Sequence, residues 1–356
     1  MAQQGVPRDG QFTTHPHEPV LIACDESGSE GERLTGATHD IFAHASVKIG
    51  IAEAEDIVTE IRYRAPSQAP EYKSSQLLLP RNYPTLRWLL REDGPLKNRA
   101  HVHLTEKSYF VVGKVIDLLI EELAYEAGID LYAGGRARDM AITLYQEGRR
   151  AFGDQRWEDF LEAFNSLMRV KDRRQAKVSV DEFFSVVDTL RLQSKRRRVE
   201  NIMSILWEAR PQAQWFQDRL VDDPSSVPAL DPLFAALPLA AEYWGQRRFP
   251  VSIVHDEQAA LTDKRVDQLR QSFSSPHPSL RPYVPRIELR DVQQVDSRKD
   301  ARVQVADLLA GASRVVASDE LNGRGDPALC ALIRPYVDSH SLWGDSRSWA
   351  KLSPDA

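Results

Sequence analysis

The chain has 356 residues, 42% of them hydrophobic, and only two cysteines, Cys24 and Cys330. It can bury a large core, and it lacks the cysteines for a disulfide framework or a clustered Cys/His zinc site. A formal net charge of -6 disfavours nucleic acid over the surface as a whole, so any phosphate binding has to come from local basic patches. The N-terminus has no basic start followed by an apolar run, and no apolar stretch approaches the roughly eighteen residues that span a bilayer. A soluble, cytoplasmic chain without membrane contact is expected, behind a flexible arm over 1–18. In chain order, PVLIAC (Pro19 to Cys24) is short, apolar and closed by a turn signal, which predicts a buried strand. DIFAHASVKI (Asp40 to Ile49) alternates Ile41, Ala43, Ala45 and Val47 with polar or small residues and predicts a second strand, paired to the first as a hairpin. RAHVHLT (Arg99 to Thr105) predicts a third, with Val102 and Leu104 alternating with His101 and His103.

Helical spacing begins at Val112, Ile116, Leu119 and Leu123 and dominates as far as about Gln246, without an internal repeat. Strand character returns at FPVSIVHDEQ (Phe249 to Gln258) and PRIELRDV (Pro285 to Val292), and a helix follows from about Ala301. Strands at both ends with helices between them predict an α/β fold. One mixed sheet would occupy 19–318, interrupted by a helical insertion at about 108–247 and followed by a C-terminal extension over 319–356.

Three carboxylates stand where apolar elements should have none. Asp25 follows VLIAC, Asp256 follows VSIVH, and Asp307 lies inside VQVADLLAG between Ala306 and Leu308. An ionised carboxylate does not stay buried alone, because its desolvation costs several kcal/mol. Structural roles exist for two of them: Asp25 before Ser and Gly suits a turn, and Asp256 suits a helix N-cap. Asp307, mid-helix, has no capping role, although it shares a face with Gln304 and Gly311. A shared divalent cation is the economical alternative, since Mg²⁺ takes oxygen ligands and such ions drive phosphodiester hydrolysis. Glu26, next along the strand, would point away from Asp25 and is set aside.

The patches ACDESGSEG, EYKSSQL (Glu71 to Leu77), VSIVHDE and DSRKDARVQVADLLAG (Asp296 to Gly311) resemble, in that order, the bacterial and phage family known only as domain of unknown function 3800. That family is similar to the ribonuclease H-like superfamily. The resemblance implies a ribonuclease H-like mixed sheet, with Asp25 at the end of its first strand, Asp256 on a neighbouring strand and Asp307 on the closing helix. These three, with Glu71 as a fourth ligand, would hold Mg²⁺ or Mn²⁺, and Lys73 would meet a substrate phosphate. Glu71 follows the Pro-rich RAPSQAP rather than sitting on a helix, and Glu106 in HLTEKSY competes for its place.

The expected function is a metal-dependent nuclease. Lys171, Arg173 and Arg174 in KDRRQAK and Lys195, Arg196, Arg197 and Arg198 in SKRRR would track the phosphates. Such runs also serve as solvated helix faces. A binding module for nucleic acid or protein on the same scaffold, of the kind a mobile-element or phage-defence system would use, is the other reading. His101 and His103 share one strand face and are expected to be a satisfied pair of partly buried imidazoles.

Overall fold

In the computed structural model, which describes residues 18–69, 72–169, 178–223, 225–274 and 287–355, the apolar runs pair into one five-stranded mixed sheet. β1 (Val20–Ser27), β2 (Ile41–Val47) and β3 (Ala100–Glu106) form an antiparallel meander. β4 (Val251–Asp256) and β5 (Leu289–Val295) lie parallel to β1 on its other side, giving the order β3-β2-β1-β4-β5. Every residue of β2 and β3 is buried. Helices therefore cover both faces, which is why these strands carry few exposed polar positions.

Between β2 and β3 come α1 (Ile51–Arg64), α2 (Ser74–Leu77) and α3 (Tyr83–Leu90). The stretch between β3 and β4 is helical as expected. It holds α4 (Lys107–Val115), a π turn (Ile116–Ile120), α5 (Glu121–Glu126), α6 (Arg136–Phe152), α7 (Asp154–Met168), α8 (Val180–Gln193), α9 (Arg197–Glu208), α10 (Arg210–Asp222) and α11 (Leu233–Gly245). α12 (Asp263–Ser274) joins β4 to β5, and α13 (Ala301–Leu321), α14 (Pro327–Ile333) and α15 (Ser346–Leu352) complete the chain.

Three apolar cores hold these layers. On one sheet face Ala23, Ala43 and Ala45 meet Ala306, Leu309 and Ala310 of α13 and Ile57 and Ile61 of α1. Small residues on both sides let α13 lie close along β1 and β2. On the other face Ile22, Cys24 and Phe42 pack under Leu233, Leu237 and Ala241 of α11. The insertion has a core of its own, with Phe160, Phe164, Phe183 and Met203 among its buried residues, each large side chain contributing roughly 2 kcal/mol. A Ser179–Glu182 capping box starts α8.

Three readings of the sequence need correction. β1 does not end on Asp25: the ladder to β2 continues through Ser27 opposite Ala43, so pairing carries the strand past both acids. Asp256 is no N-cap, because α12 starts only at Asp263. The last strand begins at Leu289 and runs to Val295, further on than PRIELRDV suggested, because its ladder to β4 persists as far as Asp256 opposite Val295. No helix among the described residues is long and apolar enough to cross a membrane.

A buried carboxylate cluster as the candidate functional site

Because β1, β4 and β5 are parallel, their C-terminal ends share one edge of the sheet, and this edge collects the acidic residues. Asp25, 6% exposed, accepts a 2.8 Å hydrogen bond from the Glu26 amide through Oδ1. Burial, then the negative charges of Glu26, Asp307 and Asp256, push its carboxyl up to about 9. Asp256 closes β4 and accepts a 3.0 Å hydrogen bond from the Ser297 amide, which ties the start of the α13 region to the strand. Asp307 lies two turns into α13, half-buried, with Lys73 Nζ 3.8 Å from its Oδ2.

The Lys73 contact depends on a glycine. A Cβ at Gly311 would stand 2.0 Å from Ser74 Oγ and 2.5 Å from Ser74 Cβ. Only glycine lets α2 press against α13 one turn beyond Asp307. The patches EYKSSQL and ADLLAG, far apart in sequence, are thus two halves of one contact.

The structure brings Asp25, Asp256, Asp307 and Lys73 to the same region. Glu71 lies outside the described residues, as do Lys171, Arg173 and Arg174. Glu106 is committed elsewhere: it closes β3, takes a hydrogen bond from the Tyr145 hydroxyl, and accepts from the amides of Gly344 at 2.9 Å and Asp345 at 3.4 Å. Burial pushes its carboxyl up to about 7 despite these donors. It fastens the C-terminal segment to β3. Lys195 to Arg198 lie exposed at the start of α9, where Arg196 and Arg198 pair with Glu147 of α6 at 3.6 and 3.7 Å.

Two acids that sequence reasoning passed over belong to the same electrostatic field. Glu26 does face away from Asp25, yet its side chain is buried, held by Gln258 Nε2, with His255 Nε2 3.5 Å from Oε2. Burial, then Asp231 and Asp256, push it up to about 8. The consecutive acids in DESG were the signal available for Glu26. Asp231, 4% exposed, had none beyond its role of accepting from the Leu233 amide at the start of α11.

His101 and His103 are not partly but fully buried, at 2% and 0% exposure, because the C-terminal segment covers β3. Both address Asp338 Oδ2, at 3.1 and 3.6 Å. Among the described residues no three His, Cys, Asp or Glu side chains converge tightly enough to enclose a metal ion. The donor set of the cluster is nonetheless all carboxylate oxygen, and Mg²⁺ is ordinarily held by one or two carboxylates with water and substrate phosphate rather than by a protein cage. The residues therefore fit a hard divalent cation by chemistry and charge. No family model, curated protein or solved structure matches this chain.

Proposed function

We propose that this protein is a metal-dependent phosphodiesterase acting on nucleic acid, on a ribonuclease H-like sheet of the kind implied by its resemblance to the domain of unknown function 3800 family. The observation that carries the reading is that buried Asp25 at the strand edge is faced by two further acids, Asp307 and Asp256, whose charges oppose its own. They come from two adjacent parallel strands and the helix laid over them. A fold gains nothing from gathering carboxylates whose charges oppose one another, whereas a cation and a phosphate need such a place.

Asp25 and Asp307 would hold Mg²⁺ or Mn²⁺ between the sheet and α13, with Asp256 at the neighbouring strand end. When bound, such an ion offsets the carboxylates and polarises a phosphodiester. Lys73, half-exposed beside Asp307, offers a mobile point charge to a non-bridging phosphate oxygen. Asp256 keeps its position through the Ser297 amide. The basic residues Lys195 to Arg198 would contribute contacts to the phosphates, which carry no base information.

Cleavage of single- and double-stranded DNA and RNA, with Mg²⁺, Mn²⁺ or chelator, tests this together with calorimetry of cation binding. Metal-dependent cutting by the wild type, lost in Asp25→Asn and Asp307→Asn along with cation binding, is expected. Neither cutting nor cation binding in the wild type overturns the proposal. Nucleic-acid retention without cutting replaces it with the binding-module reading.

A further inference from the structure

Away from the carboxylate cluster, the first helix of the insertion opens a second concave site. A pocket of about 390 Å³ lies between α4, the π turn, α6 and the C-terminal segment 339–343, within the size range of small-molecule sites. Its fourth wall is held in place by backbone: the Leu342 amide donates to Leu104 O at 2.9 Å, and the Glu106 amide donates to Leu342 O at 2.9 Å.

Three features mark it as built for a ligand rather than left by loose packing. Gly113, in the middle of α4, lines the pocket, and a Cβ there would meet no atom within 4 Å. A helix-interior glycine costs about 1 kcal/mol against alanine, and here no packing contact requires it. The π turn Ile116–Ile120 brings Asp117 to the pocket wall. Such turns are rare and concentrate at functional sites. Finally, the lining divides by chemistry. Tyr109, Phe110, Tyr132 and Trp343 supply aromatic surface, Asp117 supplies an acceptor, and Lys114 and Arg138 supply two cations. Lys114 Nζ sits 5.2 Å from the Phe110 ring centroid, and Arg138, also on the lining, is exposed.

A ligand that answers all three needs a flat ring to lie against the aromatics, N–H donors for the carboxylate, and an anionic group for the cations, which outnumber it two to one. We propose that this pocket binds a nucleoside monophosphate, as the free nucleotide or as the terminal unit of a strand, with ring N–H groups on Asp117 and phosphate on Lys114 and Arg138. The inference stands without the nuclease reading, because none of these residues belongs to the carboxylate cluster.

Calorimetry with AMP, GMP, CMP and UMP, each beside its nucleoside, and with a short 5′-phosphorylated oligonucleotide, tests it. At least one monophosphate or the oligonucleotide should bind once per chain, about tenfold more tightly than the matching nucleoside, as expected for a charge-assisted contact. Gly113→Leu fills the pocket from a better helix former and should abolish binding. Asp117→Asn and the surface change Arg138→Glu should each weaken it about tenfold. Arg138 is exposed, so that variant reports on the site even if Gly113→Leu folds poorly. Binding by the oligonucleotide but by no free nucleotide, and lost in Arg138→Glu, assigns the pocket to a strand end. No binding by any of these probes, or binding that survives both Gly113→Leu and Arg138→Glu, overturns the proposal.

Discussion

Asp338 and Asp25 are both buried, 8% and 6% exposed, yet their protonation equilibria move in opposite directions. Burial works against the Asp338 carboxylate, but the close imidazoles of His101 and His103, 3.1 and 3.6 Å away, overcome it and hold the group well below the usual carboxylate range. Burial works against Asp25 as well, and there the neighbours Glu26, Asp307 and Asp256 add to the penalty. The first centre has gathered imidazoles; the second has gathered like charges. A buried acid surrounded by its donors explains itself as structure, while one surrounded by other acids asks for a ligand.

That contrast is sharpest in stability. Asp338→Ala should destabilise the protein by about 3 kcal/mol in denaturant unfolding, because two buried imidazoles lose their acceptor. Asp25→Asn should instead raise stability by about 1 kcal/mol, since a carboxyl that burial and neighbours disfavour is replaced by a neutral group. Equal losses in both variants would erase the distinction.

Glu106 lies between these extremes, being hydrogen-bonded yet raised. Its folded value of about 7 exceeds the unfolded value near 4.5. Its contribution is therefore fully present below about 4.5 and is lost as pH rises through about 7, a decline of about 3 kcal/mol. Glu106→Gln should flatten that segment of the stability-against-pH curve. An unchanged slope would show that another group sets it.

Gly311→Ala should cost about 1.5 kcal/mol by overpacking against Ser74, and under the proposed function it should weaken nucleic-acid binding by moving Lys73 from Asp307. Adding Ser74→Gly removes both clashing atoms and should restore stability; a double variant no better than the single would show that the contact is not the cause. Lys73→Ala should be the mildest, within about 0.5 kcal/mol in unfolding, because the pair is exposed to solvent on the lysine side. If the proposed function holds, its effect belongs in nucleic-acid affinity, and an affinity equal to wild type would remove Lys73 from the proposed site.

Much of the scaffold is legible in the sequence. The runs around Ile22, Ile41, Val102 and Ile253 announced their strands because burial on a pleated sheet demands apolar, β-branched or small side chains in short stretches. Asp25, Asp256 and Asp307 were conspicuous for the converse reason, being charged residues in apolar company. Glu106 was misleading as a candidate ligand, since its neighbours in HLTEKSY say nothing of Tyr145 or Gly344, which occupy it. His101 and His103 were read as a pair, but their depth depended on a segment more than two hundred residues away that lies along β3.

By itself the sequence determined the alternation of strands and helices, the helical character of the insertion and the identity of the misplaced acids. These follow from local rules: periodic burial, capping chemistry and the cost of desolvating a charge. Only the tertiary structure decided which acids share a field, that α2 meets α13 at Gly311, that Asp338 serves two histidines, and that Gly113 and Asp117 face one pocket. Those are contacts between residues remote in the chain, and they exist only once the sheet has placed its parallel strand ends along one edge and the helices have closed over both faces.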